Sequence, residues 1–570
     1  MTRWSCLPAF ALAALPIALT WGLAGRPVAI PDGAGNAIPC LSYTPFRGAQ
    51  TPFDESLVVA PAQIEDDLRK LAAGRIRCVR TYSVDQGLEQ VPEIAARHGM
   101  TVLLGAWIGR EDAKNRRQLE TAVRLANAHP KTVRAVIVGN EALLRRERTA
   151  DDLARDLAWV RARTSVPLTY ADVWEFWLRN PSLATAVDFV TIHILPYWED
   201  EPVANADAAR YTVETWRRMR EAFSGKEVFL GETGWPSAGP MRQGARPGRI
   251  EQARFFREFS RLAAAGESPP PINIRREDSL AAGETGLDYN LIEAFDQPWK
   301  RMAEGTVGGH WGVFDESRRA KFPWAGPVAA QPEWRAYLAA TEILALALFA
   351  LAIGRSLSFG RWLALGIFAH ASAAVFVAQA DAVIISSRNA LEWAIGAGGL
   401  ALGIAVAGLA SFGLARGFGD VARPAPVAMA LFWLARPRMI SLDPPLVFGL
   451  ARFAFLSAAL VQTLGLLFDG RYRGFPVAGF IVPAAIFAAM AWLGGGGQKS
   501  APAAGESPPP INIRREDSLA ADPQGRALAL VLAAGGIAVA VIEGPANHQA
   551  LSWTLIVLLL ASPWFRFRIR

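Results

Sequence analysis

Between residues 27 and 336 short apolar runs alternate with amphipathic stretches; beyond residue 336 long apolar blocks replace that alternation. The short runs lie at 38–44, 76–82, 101–108, 134–140, 167–173, 188–194, 227–234 and 289–295. They are rich in β-branched residues and bounded by polar residues or Gly, the pattern of strands buried in a parallel sheet. Between them a helical periodicity covers 64–73, 88–98, 115–129, 149–164, 207–222 and 249–265. Eight strands alternating with helices predict an α/β chain folded as a (β/α)8 TIM barrel. The alternative is an open doubly wound sheet. That fold would want a Gly-rich phosphate turn after the first strand, and SYTPFRG (42–48) is not one.

The apolar blocks lie at 337–354, 361–380, 391–415, 445–468, 475–494, 526–542 and 550–565. Crossing a bilayer as a helix takes about 20 residues, so these blocks predict a polytopic membrane domain of about seven helices. Residues 4–23, behind Arg3, form a further apolar stretch, read as a signal peptide or an uncleaved signal anchor. The expected domains are therefore 1–26 (signal or anchor), 27–336 (barrel) and 337–570 (membrane). Residues 425–435 are apolar but too short to cross. Lys and Arg near the span ends set orientation. With the N-terminus inside, the inner loops hold Arg355, Arg361, Arg416, Arg423, Arg436, Arg438, Lys499, Arg514, Arg515 and Arg526, and the tail Arg566, Arg568 and Arg570. The outer loops hold Arg388, Arg471 and Arg473. The barrel is thus expected outside the cytoplasmic membrane. The Arg- and Ala-rich composition suggests a bacterium, which makes that space the periplasm. Glu342 and Glu392 lie near span ends, where snorkelling accounts for them; Arg452 is deeper and the better functional candidate.

Composition agrees with this division. The 570 residues are 52% hydrophobic and only 19% charged, against about 25% charged in soluble domains. Of the net charge of +7, residues 337–570 carry +6. The remainder is close to neutral, which argues against a nucleic-acid-binding surface. Cys6, Cys40 and Cys78 are too few for a disulfide scaffold or a cysteine zinc site; Cys40 and Cys78 could pair in an oxidising compartment, but two small buried side chains is the favoured reading. The string AAGESPPPINIRREDSLAA occurs unchanged at 264–282 and 503–521. It is polar and Pro-rich, a loop in both places, and reads as an insertion tolerated twice. Glu267, Glu277 and Asp278 inside it are accordingly not counted as catalytic.

In such barrels chemistry lies at the C-terminal ends of the strands. Those ends carry Tyr43; Arg80 and Tyr82; Trp107; Asn140 and Glu141; Asp172 and Trp174; His193, Tyr197 and Trp198; Glu232 and Trp235; and Glu293, Phe295, Asp296, Trp299 and Lys300. Glu141 and Glu232 close the fourth and seventh strands, which face each other across the mouth. Paired carboxylates flanking a sugar linkage are the usual machinery of glycosidases. Trp107, Trp174, Tyr197, Trp198, Trp235 and Trp299 offer flat apolar rings that suit sugar faces. No metal or other cofactor is expected: His98, His129, His193 and His310 show no ligand spacing, and His193 reads as structural or substrate-contacting.

VGNEALLRRE (138–147) and GETGWPSAG (231–239) resemble the two signature segments of glycoside hydrolase family 17, the β-1,3-glucanase and glucanosyltransferase family. The resemblance spans roughly residues 38–325. LSYTPFRG, VRTYS, TIHILPYWE and LIEAFDQPWKR fit its bacterial membrane-bound branch. It implies a retaining mechanism with Glu141 as acid/base and Glu232 as nucleophile, and Asn140 holding the sugar 2-OH. Tyr43, Tyr82, Tyr197, Trp235, Glu293, Asp296, Trp299 and Lys300 are further subsite candidates. The long insertion before the eighth strand departs from the family pattern.

The expected function is therefore remodelling of β-glucan in the periplasm by trimming or transglycosylation, with β-glucan and the lipid bilayer as partners. The alternative is a glucan-export or synthase-associated scaffold whose barrel is an accessory glucan-binding module, with a glucan synthase as its partner.

Overall fold

A computed structural model describes residues 5–35, 38–265, 287–416, 444–493 and 522–565. The chain divides into two compact units, Pro27–Val328 and a second made of Met1–Arg26 with Ala329–Arg570.

In the first unit eight parallel strands close into a barrel in sequence order. They are β1 (Leu41–Ser42), β2 (Cys78–Arg80), β3 (Thr101–Ala106), β4 (Val133–Asn140), β5 (Leu168–Val173), β6 (Val190–His193), β7 (Val228–Thr233) and β8 (Tyr289–Leu291). Closure is made by β1, which pairs with both β2 and β8. Every predicted strand is present, but Leu41–Ser42, Cys78–Arg80 and Tyr289–Leu291 are shorter than the runs expected at 38–44, 76–82 and 289–295. The predicted helices also form. That at Ala150–Arg161 starts at a capping box, in which Thr149 and Asp152 satisfy each other's backbone N–H.

Side chains alternate across each strand. Inward positions Leu103, Ala135, Ile137, Ala171, Phe189 and Phe229 fill the barrel together with Cys40 and Cys78. Outward positions such as Leu41, Val79, Val102, Val136, Ile192 and Leu230 pack beneath the helices. Contrary to the sequence expectation, Cys40 and Cys78 are joined by a disulfide. Pairing of Leu41 with Val79 sets the two cysteines side by side on neighbouring strands.

In the second unit six described helices are long and apolar enough to cross a membrane: Cys6–Ala24, Phe359–Ser386, Ala390–Arg416, Val447–Phe468, Pro523–Glu543 and His548–Phe565. The blocks expected at 337–354 and 475–494 form the 17-residue helices Trp334–Ala350 and Val477–Leu493. Cys6–Ala24 is packed into this unit. Trp21 Nε1 donates to Thr341 Oγ1 at 3.2 Å, and Phe10 meets Phe349 edge-on at 5.0 Å.

Glu392 pairs with Arg388 at the surface. Glu342 does not merely snorkel: its Oε2 lies 3.2 Å from Nε2 of the fully buried His370. Arg452 is buried with its guanidinium over Trp564. Residues 425–435, nearly all of both repeat copies, and the arginines and lysine at 423, 436, 438, 499, 514, 515, 566, 568 and 570 lie outside the described residues.

Candidate active site

Four strands deliver the polar cluster at the barrel mouth. On β2, Arg80 follows Cys78 on the inward face and its side chain is 1% exposed. A buried guanidinium must be paired. Arg80 contacts the Glu232 carboxylate through Nη1 and donates to Asn140 Oδ1 through Nη2. On β4, Gly139 takes a left-handed backbone (φ 91°), and Glu141, one residue past the strand, does so too (φ 51°). Such a conformation is costly for a residue with a Cβ. The Glu141 N–H is held by the Ala171 carbonyl at 2.8 Å.

His193 ends β6 and is completely buried. Its Nδ1 lies 2.8 Å from Glu141 Oε1 and its Nε2 3.7 Å from Glu232 Oε1. Gly231, next to Glu232 on β7, makes room for it: a Cβ there would lie 2.4 Å from the Thr191 side chain and 3.3 Å from the His193 ring. One oxygen of Glu141, one of Glu232 and a His193 nitrogen all lie within 4.8 Å of one another. By distance these three could ligate a metal ion. The positive charge against Glu232, however, is supplied by Arg80.

Glu232 is nearly buried and accepts from the Tyr82 hydroxyl at 2.8 Å. Tyr82 also meets Ser42 Oγ at 2.9 Å, and Asn290 Nδ2 donates to the same Ser42 Oγ at 2.8 Å. Burial pushes the Glu232 carboxyl upward. His193, Arg80, the Tyr82 hydrogen bond and Lys300 outweigh it and hold the group well below the ordinary glutamate range. Glu141 is more open, with 23% of its side chain exposed. Nearby, Lys300 Nζ bonds both Glu293 oxygens at 3.0 and 2.9 Å. Burial lifts Glu293 to about 7 against the pull of Lys300.

Asn140, Tyr82, Glu293 and Lys300 therefore gather around Glu141 and Glu232. Trp299, half-buried, stands edge-on to Phe46 and Phe53. Tyr43, Tyr197, Trp235 and Asp296 do not join the cluster. Tyr43 is fully buried with its hydroxyl 3.2 Å from Asp67. Tyr197 is fully buried and donates to the Pro240 carbonyl at 2.8 Å. Trp235 is fully buried against Phe255 and donates to the Arg246 carbonyl at 2.9 Å. Asp296 binds Lys321 Nζ at 2.7 Å and the Gly312 N–H at 2.9 Å. Of the proposed stacking rings, Trp107 is the open one, 40% exposed, with Arg145 over its face at 4.1 Å. Sequence reasoning named Arg80 only as a strand-end residue and read His193 as structural or substrate-contacting, without its contact to Glu141. It missed Glu304, whose carboxyl is raised by burial and by Glu141 and Glu232, against Lys300.

Residues 40–312 match the family of the BtgE/BtgC glycoside hydrolase domain. The barrel is a glycoside hydrolase domain. This agrees with the family 17 resemblance of its two glutamate segments. The chain is 28% identical over 261 residues to a glucan 1,3-beta-glucosidase of Schizosaccharomyces pombe, covering 43% of this chain and 75% of the relative. It is 25% identical over 276 residues to a glucan 1,3-beta-glucosidase of Candida albicans, covering 43% and 81%. A probable beta-glucosidase of Aspergillus clavatus matches at 24% over 294 residues, covering 50% and 47%. Among solved structures, the family 17 beta-1,3-glucanosyltransferase of Rhizomucor miehei is similar, at 22% identity and TM-score 0.40, covering 51% of this chain and 97% of that one. The hydrolase domain thus contains Glu141, Glu232 and all their partners named above.

Proposed function

We propose that the protein is a retaining, β-1,3-glucan-active glycosidase and transglycosylase, anchored in a bacterial cytoplasmic membrane with its barrel on the periplasmic side. The observation that carries this reading is the approach of Glu141 and Glu232 oxygens within 4.8 Å. Retaining enzymes hold the two carboxyls about 5–5.5 Å apart, whereas inverting ones leave about 6.5–9.5 Å for a water. The glucan 1,3-beta-glucosidase names of the relatives support the linkage.

The chemistry follows from the side chains. Against burial, His193, Arg80, Tyr82 and Lys300 keep Glu232 ionised, so its oxygen attacks the anomeric carbon. Glu141 gives its proton to the leaving sugar oxygen as that bond breaks. A glycosyl ester on Glu232 results. Glu141, now a carboxylate, accepts a proton from water or from a second sugar hydroxyl, which releases the chain from Glu232. Asn140, held by Arg80, is placed to receive the sugar 2-OH. The half-buried Trp299 and the exposed Trp107 offer the sugar-facing rings.

The disulfide supports an oxidising compartment, and the six long apolar helices support membrane anchorage. The experiment is the full-length protein in detergent, wild type beside Glu232→Gln, on β-1,3-, β-1,4- and β-1,6-glucans. Turnover of the β-1,3 substrate by wild type alone is expected; equal turnover by the variant removes the nucleophile assignment. With concentrated laminari-oligosaccharides, products longer than the substrate are expected. Exclusively shorter products exclude the transferase part.

A further inference from the structure

His193 lies against both carboxylates, Nδ1 at 2.8 Å from Glu141 Oε1 and Nε2 at 3.7 Å from Glu232 Oε1, and its hydrogen positions follow from its neighbours. Arg80 Nη2 lies 3.4 Å from His193 Nε2. A guanidinium only donates, so Nε2 faces it with a lone pair and the ring hydrogen belongs on Nδ1. A doubly protonated ring carries a hydrogen on Nδ1 as well. In either form Nδ1–H donates to Glu141 Oε1 at 2.8 Å.

We infer that His193 is a positioning residue for the acid/base: it holds Glu141 Oε1 as a permanent hydrogen-bond acceptor and so assigns proton transfer to Oε2. This rests on the catalytic reading of Glu141 above. During glycosylation the Oε2 proton passes to the leaving oxygen while the bond to the anomeric carbon breaks and the Glu232 ester forms. The negative charge left on Glu141 is met by the existing Nδ1–H bond, with no reorganisation. In the second half, Oε2 takes the proton of the attacking water or sugar hydroxyl. Three features keep the ring from turning. It is wholly buried, Gly231 provides its space, and the three groups around it, Glu141, Glu232 and Arg80, come from three different strands. Asp172 and Glu304 also face this carboxylate, since Glu141 raises the carboxyl of each. Neither takes the place of the Nδ1–H bond.

The test uses two substrates and two variants of the full-length protein in detergent. Laminari-oligosaccharides have a sugar leaving group that needs a proton. An aryl β-laminaribioside with a dinitrophenolate leaving group does not. Gln at 193 places an amide near Nε2, whereas Asn places one near Nδ1. His193→Gln is expected to lose about a hundredfold on the oligosaccharide. Its loss in first-turnover dinitrophenolate release should be about tenfold smaller. His193→Asn should recover about tenfold of the oligosaccharide rate. Equal losses on both substrates, with Asn no better than Gln, would overturn the inference and leave His193 a packing residue. Glu141→Gln on the same substrates separates the two levels of the argument. If that variant shows no leaving-group dependence, the assignment of Glu141 itself fails. If it does while the His193 variants do not, only the His193 role falls.

Discussion

Arg80 touches Glu232 in the barrel mouth with both side chains almost sealed from solvent, 1% and 5% exposed. The same guanidinium holds Asn140. One cation thereby touches both the proposed nucleophile and the proposed 2-OH ligand.

Replacing that cation has a pH signature. Arg80, with His193, Tyr82 and Lys300, keeps the Glu232 carboxyl depressed against burial. Arg80→Met should therefore move the acidic limb of the kcat/KM profile to higher pH, because Glu232 ionises later. The sign for stability is that of a depressed carboxylate. The contribution is present above the unfolded glutamate value of about 4.3 and lost as pH falls through the lower folded value. Breaking the buried pair is expected to cost about 3–5 kcal/mol. Arg80→Lys, which keeps the charge but not the fork that spans Glu232 and Asn140, serves if the Met variant does not fold. An unmoved acidic limb in a folded variant would contradict the role of Arg80.

The Cys40–Cys78 bond closes a sequence separation of 38 residues between neighbouring strands. For a loop of that size the chain-entropy argument gives about 4 kcal/mol. The Cys40→Ala/Cys78→Ala double variant should unfold at lower temperature, followed by circular dichroism. Intact-mass analysis after alkylation should find one reactive thiol, Cys6, before reduction and three after it. Three thiols before reduction would refute the bond.

Cys6–Ala24 buries Ala9 and Ala13, and Gly366 brings the Phe359–Ser386 helix close, since a Cβ there would lie 2.9 Å from Ala13. A helix packed this way is expected to stay attached. N-terminal sequencing of the membrane-extracted protein should start within the first few residues. A start at residue 26 or 27 would show cleavage.

Much of this architecture could be read from the chain. The β-branched runs gave all eight strands because the inner and outer faces of a barrel strand are both apolar. Glu141 and Glu232 stood out as carboxylates at the ends of such runs. The errors came from side-chain direction. Ser42 faces the barrel interior and Tyr43 the helices, so being at a strand end was not enough; Tyr197 and Trp235 lie in loops beyond their strands, where their side chains bond the loop carbonyls of Pro240 and Arg246. Arg80 carried a usable signal: a charge between Val79 and Thr81, two residues after an inward cysteine, must lie inside and find a partner. Alternation along Val190–His193 likewise puts Thr191 and His193 on one face. The Cys40–Cys78 bond needs the pairing of β1 with β2, which spacing alone does not supply.

The proposed orientation across the bilayer rests on the arginine bias of the loops. With single cysteines introduced in a Cys6→Ala background, an impermeant maleimide applied to intact spheroplasts should label Arg117→Cys in the barrel and not Arg355→Cys. The reverse pattern would place the barrel in the cytosol and end the periplasmic reading.

The covalent intermediate itself can be trapped. A 2-deoxy-2-fluoro laminaribioside with a dinitrophenolate leaving group should form a stable ester on the full-length protein. After proteolysis, mass spectrometry should place the added disaccharide on Glu232 and find none in Glu232→Gln. Label on another carboxylate, or turnover of the reagent with no label on the wild type, would contradict the account.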